Sequence, residues 1–198
     1  MDDLTSAEHP TKQEIILRAE QLFAQRGFDS VSMREIGEAC GITKANIYYY
    51  FKDKETLYLQ VLERNMLAMI AALQAAAGGE GTARDKIARI AESFVRLMHS
   101  KPGMIQMGMR PFGEHEPDVF GLIHRYRRDL LRPVESVLEE GVRNGELRLL
   151  NVPATALSLV MFMRILMLGR TKGLVPDIPE SDMVLHTVEL FFDGIRAR

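Results

Sequence analysis

The chain has 198 residues, 46% of them hydrophobic, and a formal net charge of −2, with an isoelectric point near 6.2. This is the composition of an ordinary globular protein with enough apolar mass for a real core, in one large domain or two small ones. A single cysteine excludes an internal disulfide, and the slight acidity argues against broad polyanion affinity, which clustered Lys and Arg would have to supply locally.

Residues 1–10, with Asp2, Asp3 and Glu8, are expected to form a disordered tail. They lack the basic and apolar regions of a signal peptide, and no uninterrupted apolar run reaches the roughly 18 residues of a membrane helix; the expectation is a cytoplasmic protein without a membrane partner. Helix signals follow in series. Thr11-Lys-Gln-Glu14 is a capping box opening a helix to about Arg26, with Ile15, Ile16, Ala19, Leu22 and Phe23 at helical spacing and Gly27 placed to end it in a left-handed cap. Ser32-Met-Arg-Glu35 repeats the device for a short helix whose inward face is Met33, Ile36 and Cys40, and Gly41 then supplies a tight turn. Thr43 caps a third helix and Asp53 a fourth, which runs from Lys54 to the Gly78-Gly79-Glu80-Gly81 break.

Beyond that break, Thr82-Ala-Arg-Asp85 starts a helix reaching about Ser100, and Pro102 and Pro111 bracket a short segment. Pro117 opens a long helix expected to kink near Pro133 and to stop at Asn144-Gly145. Helices over Pro153 to Lys172 and Pro179 to Arg196 complete the set, with a loop between them. The predicted fold class is therefore all-α, with about nine helices: a three-helix domain over residues 11–55 and a larger helical domain over residues 56–198.

Residues Ser32 to Phe51 have the parts of a helix-turn-helix DNA reader: a first helix to hold the second, a glycine turn, and a short second helix with an outward face of contact groups. At 100° per residue, Ile47 and Phe51 share the buried side of that second helix. Ala45, Asn46, Tyr48 and Tyr49 point the other way, with Thr43 and Lys44 beside them. Asn46 and Lys44 suit base edges, Ala45 suits close approach or a thymine methyl, and tyrosine hydroxyls suit phosphates. Lys54, opening the fourth helix, reads as a phosphate clamp. A buried aromatic helix with a solvated lysine face is the plainer reading of each feature alone; two capping boxes, the turn and the outward tyrosines together favour DNA.

The sequence here resembles the TetR family of one-component bacterial transcriptional regulators. The resemblance is carried by Ala19-x-x-Leu22-Phe23-x-x-x-Gly27-Phe28, Ser32-x-Arg34-x-Ile36 and Ile42-Thr-Lys-Ala-Asn-Ile-Tyr-Tyr-Tyr-Phe51-Lys-x-Lys54-Glu-x-Leu57, over about Thr11 to Leu57. It implies that Ser32 and Arg34 lie near the DNA backbone, that Thr43, Lys44, Ala45 and Asn46 approach the bases or their phosphates, and that Tyr48, Tyr49 and Lys54 hold the strand. Gly37 and Cys40 stand where the family often has alanine, and Ala45 where glycine is common, which leaves the base preference open. The resemblance also implies a homodimer on a near-palindromic operator, joined through the last two helices. Their wide apolar coverage, Ala154 to Leu168 above all, is compatible with burial on two sides.

The larger domain is expected to hold a small, largely apolar effector and to release DNA on binding it, with no cofactor. Met98, Met107, Met163 and Met167 are candidate lining residues because thioethers repack around varied apolar ligands, although methionine is also ordinary core filler. Arg164, inside an apolar run, needs an anion: an internal carboxylate before an acidic ligand. A metal-dependent hydrolase would have to be assembled from Glu114, His115 and His124, whose spacing puts no ligand pair on one helical face, so neither a metal site nor catalytic residues are assigned. A helical protein-interaction module presenting its tyrosine face is the other alternative.

Overall fold

The computed structural model describes residues 11–101, 116–148, 151–171, 173–174 and 179–195. Among these are eight helices: α1 Lys12–Arg26, α2 Met33–Ala39, α3 Lys44–Tyr50, α4 Lys54–Ala77, α5 Ala83–Ser100, α6 Glu116–Arg143, α7 Val152–Thr171 and α8 Glu180–Ile195. The short segment expected between Pro102 and Pro111 lies outside the described residues, as does the N-terminal tail.

The helix starts follow the side chains that precede them. Thr11, Ser32 and Thr82 each accept a hydrogen bond from the backbone N–H three residues on, while Glu14, Glu35 and Asp85 reach back to the cap backbone. These reciprocal pairs satisfy N–H groups that a helix cannot pair internally. Asp53 accepts from the Thr56 N–H at 2.7 Å and opens α4. At the end of α1, Gly27 takes φ 79° and ψ 158°, an extended rather than left-handed helical pair of angles, yet still one that an L side chain disfavours. Pro133 lies inside α6, which runs on to Arg143 as one helix; losing one N–H is tolerated when well-packed turns flank it. Cys40 ends α2 half-buried beside the inward face it was expected to complete.

Two hydrophobic cores result. The first joins Ile15, Ala19 and Phe23 of α1 to Ile36, Ile47 and Phe51, and draws in Leu57, Tyr58 and Val61 from α4. The second is built from Met69 and Leu73 of α4, Ile87, Ile90 and Phe94 of α5, Val134 and Leu138 of α6, and residues of α7 and α8. One helix, α4, thus belongs to both. The start of α5 is seated on the end of α6: the Ala83 N–H donates to Glu146 Oε2 at 2.6 Å, and buried Lys86 donates to both oxygens of Glu140 at 2.7 Å.

Over Val152–Arg170, α7 is 19 residues long with mean hydropathy 1.8, so by length and composition it is apolar enough to cross a membrane. This corrects the expectation drawn from uninterrupted runs, because Thr155, Ser158 and Arg164 break the run without much lowering its mean. The two hydroxyls bond back to the helix's own carbonyls, Asn151 and Ala154, at 2.8 Å each. Ala156, Leu159, Val160, Met163 and Met167 are buried in the second core, while Leu157, Met161 and Ile165 are exposed.

The tightest seam is at Gly141, where an added Cβ would lie 2.7 Å from Ala83 Cβ and 2.8 Å from Leu147 Cδ1. Gly141→Ala is expected to destabilise the fold by roughly 1–3 kcal/mol through overpacking, read as a lowered urea midpoint with an unchanged slope. The α2 cap supplies a pH test. The Glu35 carboxyl is held down to about 2 by the Ser32 backbone N–H, then by its hydroxyl and Arg26. Its folded value is the depressed one, so the cap's contribution is present above the ordinary value of 4.5 and is lost as pH falls toward 2. Amide exchange in α2 should accelerate across that window, and Glu35→Gln should flatten the dependence.

Candidate nucleic-acid interface and effector cavity

The turn between α2 and α3 is set by backbone geometry. Gly41 sits at φ 69°, and the Ile42 N–H returns to the Gly37 carbonyl at 2.9 Å. A Cβ at Gly37 would stand 3.2 Å from the Ile42 oxygen, so the turn packs closely against α2 here. On α3, Ile47 is fully buried and Phe51 nearly so, which fixes the helix by its inner side. The opposite side is free: Thr43, Lys44 and Ala45 are exposed, Asn46 is half-buried, and Tyr48 and Tyr49 are 43% and 85% exposed. The Lys44 ammonium lies 5.8 Å from the Tyr48 ring centre, and Tyr49 meets half-buried Tyr50 edge-on at 5.3 Å. Thr43 accepts from the Asn46 N–H at 3.3 Å and so caps α3. These outward groups form one contiguous donor-bearing surface, the kind that reads a groove and holds phosphates.

The flanking residues divide. Ser32 is exposed, with its hydroxyl engaged by Glu35 at 2.8 Å. Arg34 pairs with Glu38 at 2.7 Å, and both side chains are more than half exposed, so the pair is weak and exchangeable. Lys54 has a structural role that the sequence did not show: its ammonium donates to the carbonyls of Phe28 and Val31, each at 2.9 Å, and lies 4.1 Å from the Phe28 ring centre. Two of its three donors hold the segment between α1 and α2 against the first turn of α4.

Three consecutive residues of α4 tie the two cores together. Glu63 accepts from the Tyr126 hydroxyl of α6 at 2.6 Å and lies 3.6 Å from Arg125. Arg64 donates to Glu20 of α1 at 2.5 Å. Asn65 Oδ1 accepts from Lys101, just past α5, at 3.2 Å, and Lys101 also donates to Glu20 at 2.9 Å. Glu20, with its side chain 13% exposed, therefore neutralises two cations from different helices.

Beside this junction is a cavity of about 120 Å³, open on one side, whose wall comes from four helices. Leu62, Asn65, Met66 and Met69 of α4 face Phe94 and Met98 of α5; α6 contributes Val119, Leu122, Ile123 and Leu130, and α7 contributes Val160, Met161 and Arg164. Of the residues expected at an effector site, Met98 and Arg164 are on this wall. Met163 and Met167 are buried in the second core without lining the cavity, and Met107 lies outside the described residues. Burial pushes the Arg164 guanidinium below its ordinary value. The α4 wall carried no candidate from the sequence, although an asparagine inside an otherwise apolar helical face was a signal available at Asn65. Glu114 and His115 lie outside the described residues, His124 is exposed, and among the described residues no cluster of three or more His, Cys, Asp or Glu is arranged to hold a metal.

An all-helical fold with an exposed recognition helix, coupled through one long helix to a cavity-bearing bundle, defines a helix-turn-helix transcriptional regulator. Comparison with known proteins makes this specific. Residues 15–61 match the model of the bacterial regulatory proteins of the tetR family, and residues 80–167 match the tetracyclin repressor-like C-terminal domain. The chain belongs to the TetR family, whose members are regulators and not enzymes. The HTH-type transcriptional regulator UidR of Escherichia coli (strain K12) is 24% identical over 100% of this chain and 95% of its own length. The HTH-type transcriptional repressor NemR of the same strain is 35% identical, over 40% of this chain and 41% of its own. Among solved structures, the transcriptional regulator FadR from Bacillus subtilis in complex with stearoyl-CoA superposes with a TM-score of 0.79 at 18% identity, over 94% of this chain and 100% of the other.

The Glu20 junction supplies a stability test. Glu20→Gln leaves Lys101 and Arg64 without their shared counter-charge and is expected to cost on the order of 2 kcal/mol in urea unfolding, less than for a fully buried pair because both cations retain some solvent.

Proposed function

We propose that this regulator is a cytoplasmic repressor that binds a near-palindromic operator as a homodimer and is released by a small, largely apolar effector held in the cavity between α4 and α7. The observation that carries the reading is the continuity of α4, which belongs to the core of the DNA-reading head and also forms a wall of the cavity. A ligand that changes the cavity acts on a helix whose other end positions α3. Operator contacts are assigned to Thr43, Lys44, Ala45, Asn46, Tyr48 and Tyr49, with Ser32, Arg34 and the remaining donor of Lys54 at the flanking phosphates. The division into a head over residues 11–55 and an effector and dimerisation domain beyond it puts the boundary within the first turns of α4.

Dimerisation is supported by apolar surface on the last two helices: Leu157, Met161 and Ile165 recur every fourth residue on α7, and Leu185 and Leu190 are more than half exposed on α8. Two heads fixed about one DNA turn apart, roughly 34–36 Å, then meet successive major grooves. For a hundredfold loss of operator occupancy, the effector must favour the released state by roughly 2.7 kcal/mol, within reach of a small apolar site.

Selection of bound sequences from a random duplex pool tests the reading. A palindromic consensus is expected from the wild type, with affinity falling steeply as salt rises. Lys44→Ala should reduce the salt slope by about one, and Tyr49→Ala should weaken binding about tenfold, with the protein still folded. Ile165→Glu should give monomers by sedimentation and abolish enrichment. Enrichment unchanged in both head variants would place the contact surface elsewhere.

A further inference from the structure

Asn65 is 3% exposed, among the described residues the only one on the cavity wall besides Arg164 with a polar side chain, and one end of its amide is already spoken for. Lys101 donates to its oxygen at 3.2 Å. An ammonium group can only donate, so the amide cannot be turned round, and the nitrogen must point away from Lys101. That nitrogen, Nδ2, is buried and has no hydrogen-bond partner. A buried donor without an acceptor is a standing cost, and folded proteins rarely carry one without a use. A water molecule is a poor solution here, because it needs two to four polar partners and the surrounding wall is mostly aliphatic, methionine and phenylalanine surface.

We infer that Asn65 is the polar anchor for the effector, its Nδ2 donating to a carbonyl or carboxylate oxygen of an otherwise apolar ligand that fills the space between α4 and α7. The inference rests on the reading of this cavity as the effector site and narrows it to a chemical class, acyl compounds. A pure hydrocarbon leaves Nδ2 unsatisfied. A cationic ligand without an acceptor also leaves Nδ2 unsatisfied. The amide is also wired to the head: the lysine that orients it holds Glu20 of α1 at 2.9 Å, so an oxygen that draws on Asn65 acts on a group shared with the DNA-reading domain.

The test uses the full-length protein with 13C-methyl methionine, reading ligand affinity from the shifts of Met66, Met69 and Met98 on the cavity wall. Three probes of similar length are compared: heptane, methyl pentanoate and pentanoate. The wild type is expected to bind at least one of the two acyl probes about tenfold more tightly than heptane, the strength of one desolvated hydrogen bond. Tighter binding of pentanoate than of its ester would identify a carboxylate ligand, and the reverse an uncharged carbonyl; either outcome supports the anchor. Asn65→Leu, which removes the amide at similar volume, and Asn65→Asp, which keeps an acceptor for Lys101 but loses the donor, should bring the methyl ester to within about twofold of heptane while heptane binds as before. Heptane and both acyl probes bound equally by the wild type, or an ester preference that survives in both variants, would overturn the anchor and leave the cavity reading standing. No shift at the three methyl groups with any probe would overturn both.

Discussion

Everything in this structure depends on α4 being one unbroken helix shared by two cores. Its first turns give Leu57, Tyr58 and Val61 to the head, and its last give Met69 and Leu73 to the bundle. Packed interiors are stiff, so a helix embedded in two of them cannot tilt in one without strain in the other. The crossing point is where the chain places its cross-links: Glu63 to α6, Arg64 to α1, and Asn65 to Lys101 after α5. Each reaches a different element, and together they fix α4 in rotation as well as position.

The role of Lys54 follows from the same constraint. A lysine at the start of α4 that grips the Phe28 and Val31 carbonyls couples any displacement of α4 to the segment from which α2 emerges. The α2 and α3 helices are only 7 residues each and are held by few inward side chains, chiefly Met33, Ile36 and Ile47. Short helices of this length owe their stability to tertiary contact and not to their own propensity. They therefore move as passengers of whatever holds them, and what holds them is α1 and the N-terminal end of α4.

Much of this was legible in the sequence, and the parts that were not share a cause. Capping boxes at Thr11, Ser32 and Thr82 are local, since their partners lie three residues away, and the structure shows all three. The inner side of α3 was legible for a similar reason: Ile47 and Phe51 are four residues apart on one short helix, and both are buried. What escaped was long-range. The partners of Lys54 are 26 and 23 residues away, and Lys101 stands 81 residues from Glu20. No periodicity reports such a pairing. Methionine content marked the region of the cavity but not its wall, because Met98 and Met163 have the same composition signal, both are buried in the second core, and only the folded arrangement puts Met98 on the cavity wall. The membrane-length character of α7 was missed by counting unbroken runs, when hydroxyls that bond to their own helix scarcely interrupt an apolar surface.

An acidic chain that binds DNA needs its charge to be placed and not merely present. From Ala39 to Lys52 there is no Asp or Glu, and Lys44 and Lys52 both lie exposed in that stretch. The overall charge of −2 is thus set elsewhere. On the bundle and at the junction, carboxylates such as Glu20, Glu63 and Glu140 are occupied in neutralising neighbouring cations or accepting from a hydroxyl. With the acidic groups drawn into internal pairing and the reading helix left free of them, the field at the head is locally favourable to phosphate within the roughly 8 Å over which physiological salt allows it to act. Affinity for DNA on these terms comes from a small surface, and so it depends on holding two such surfaces in register. On the proposed reading, that makes the geometry of α4 the variable through which an occupied cavity acts on operator binding.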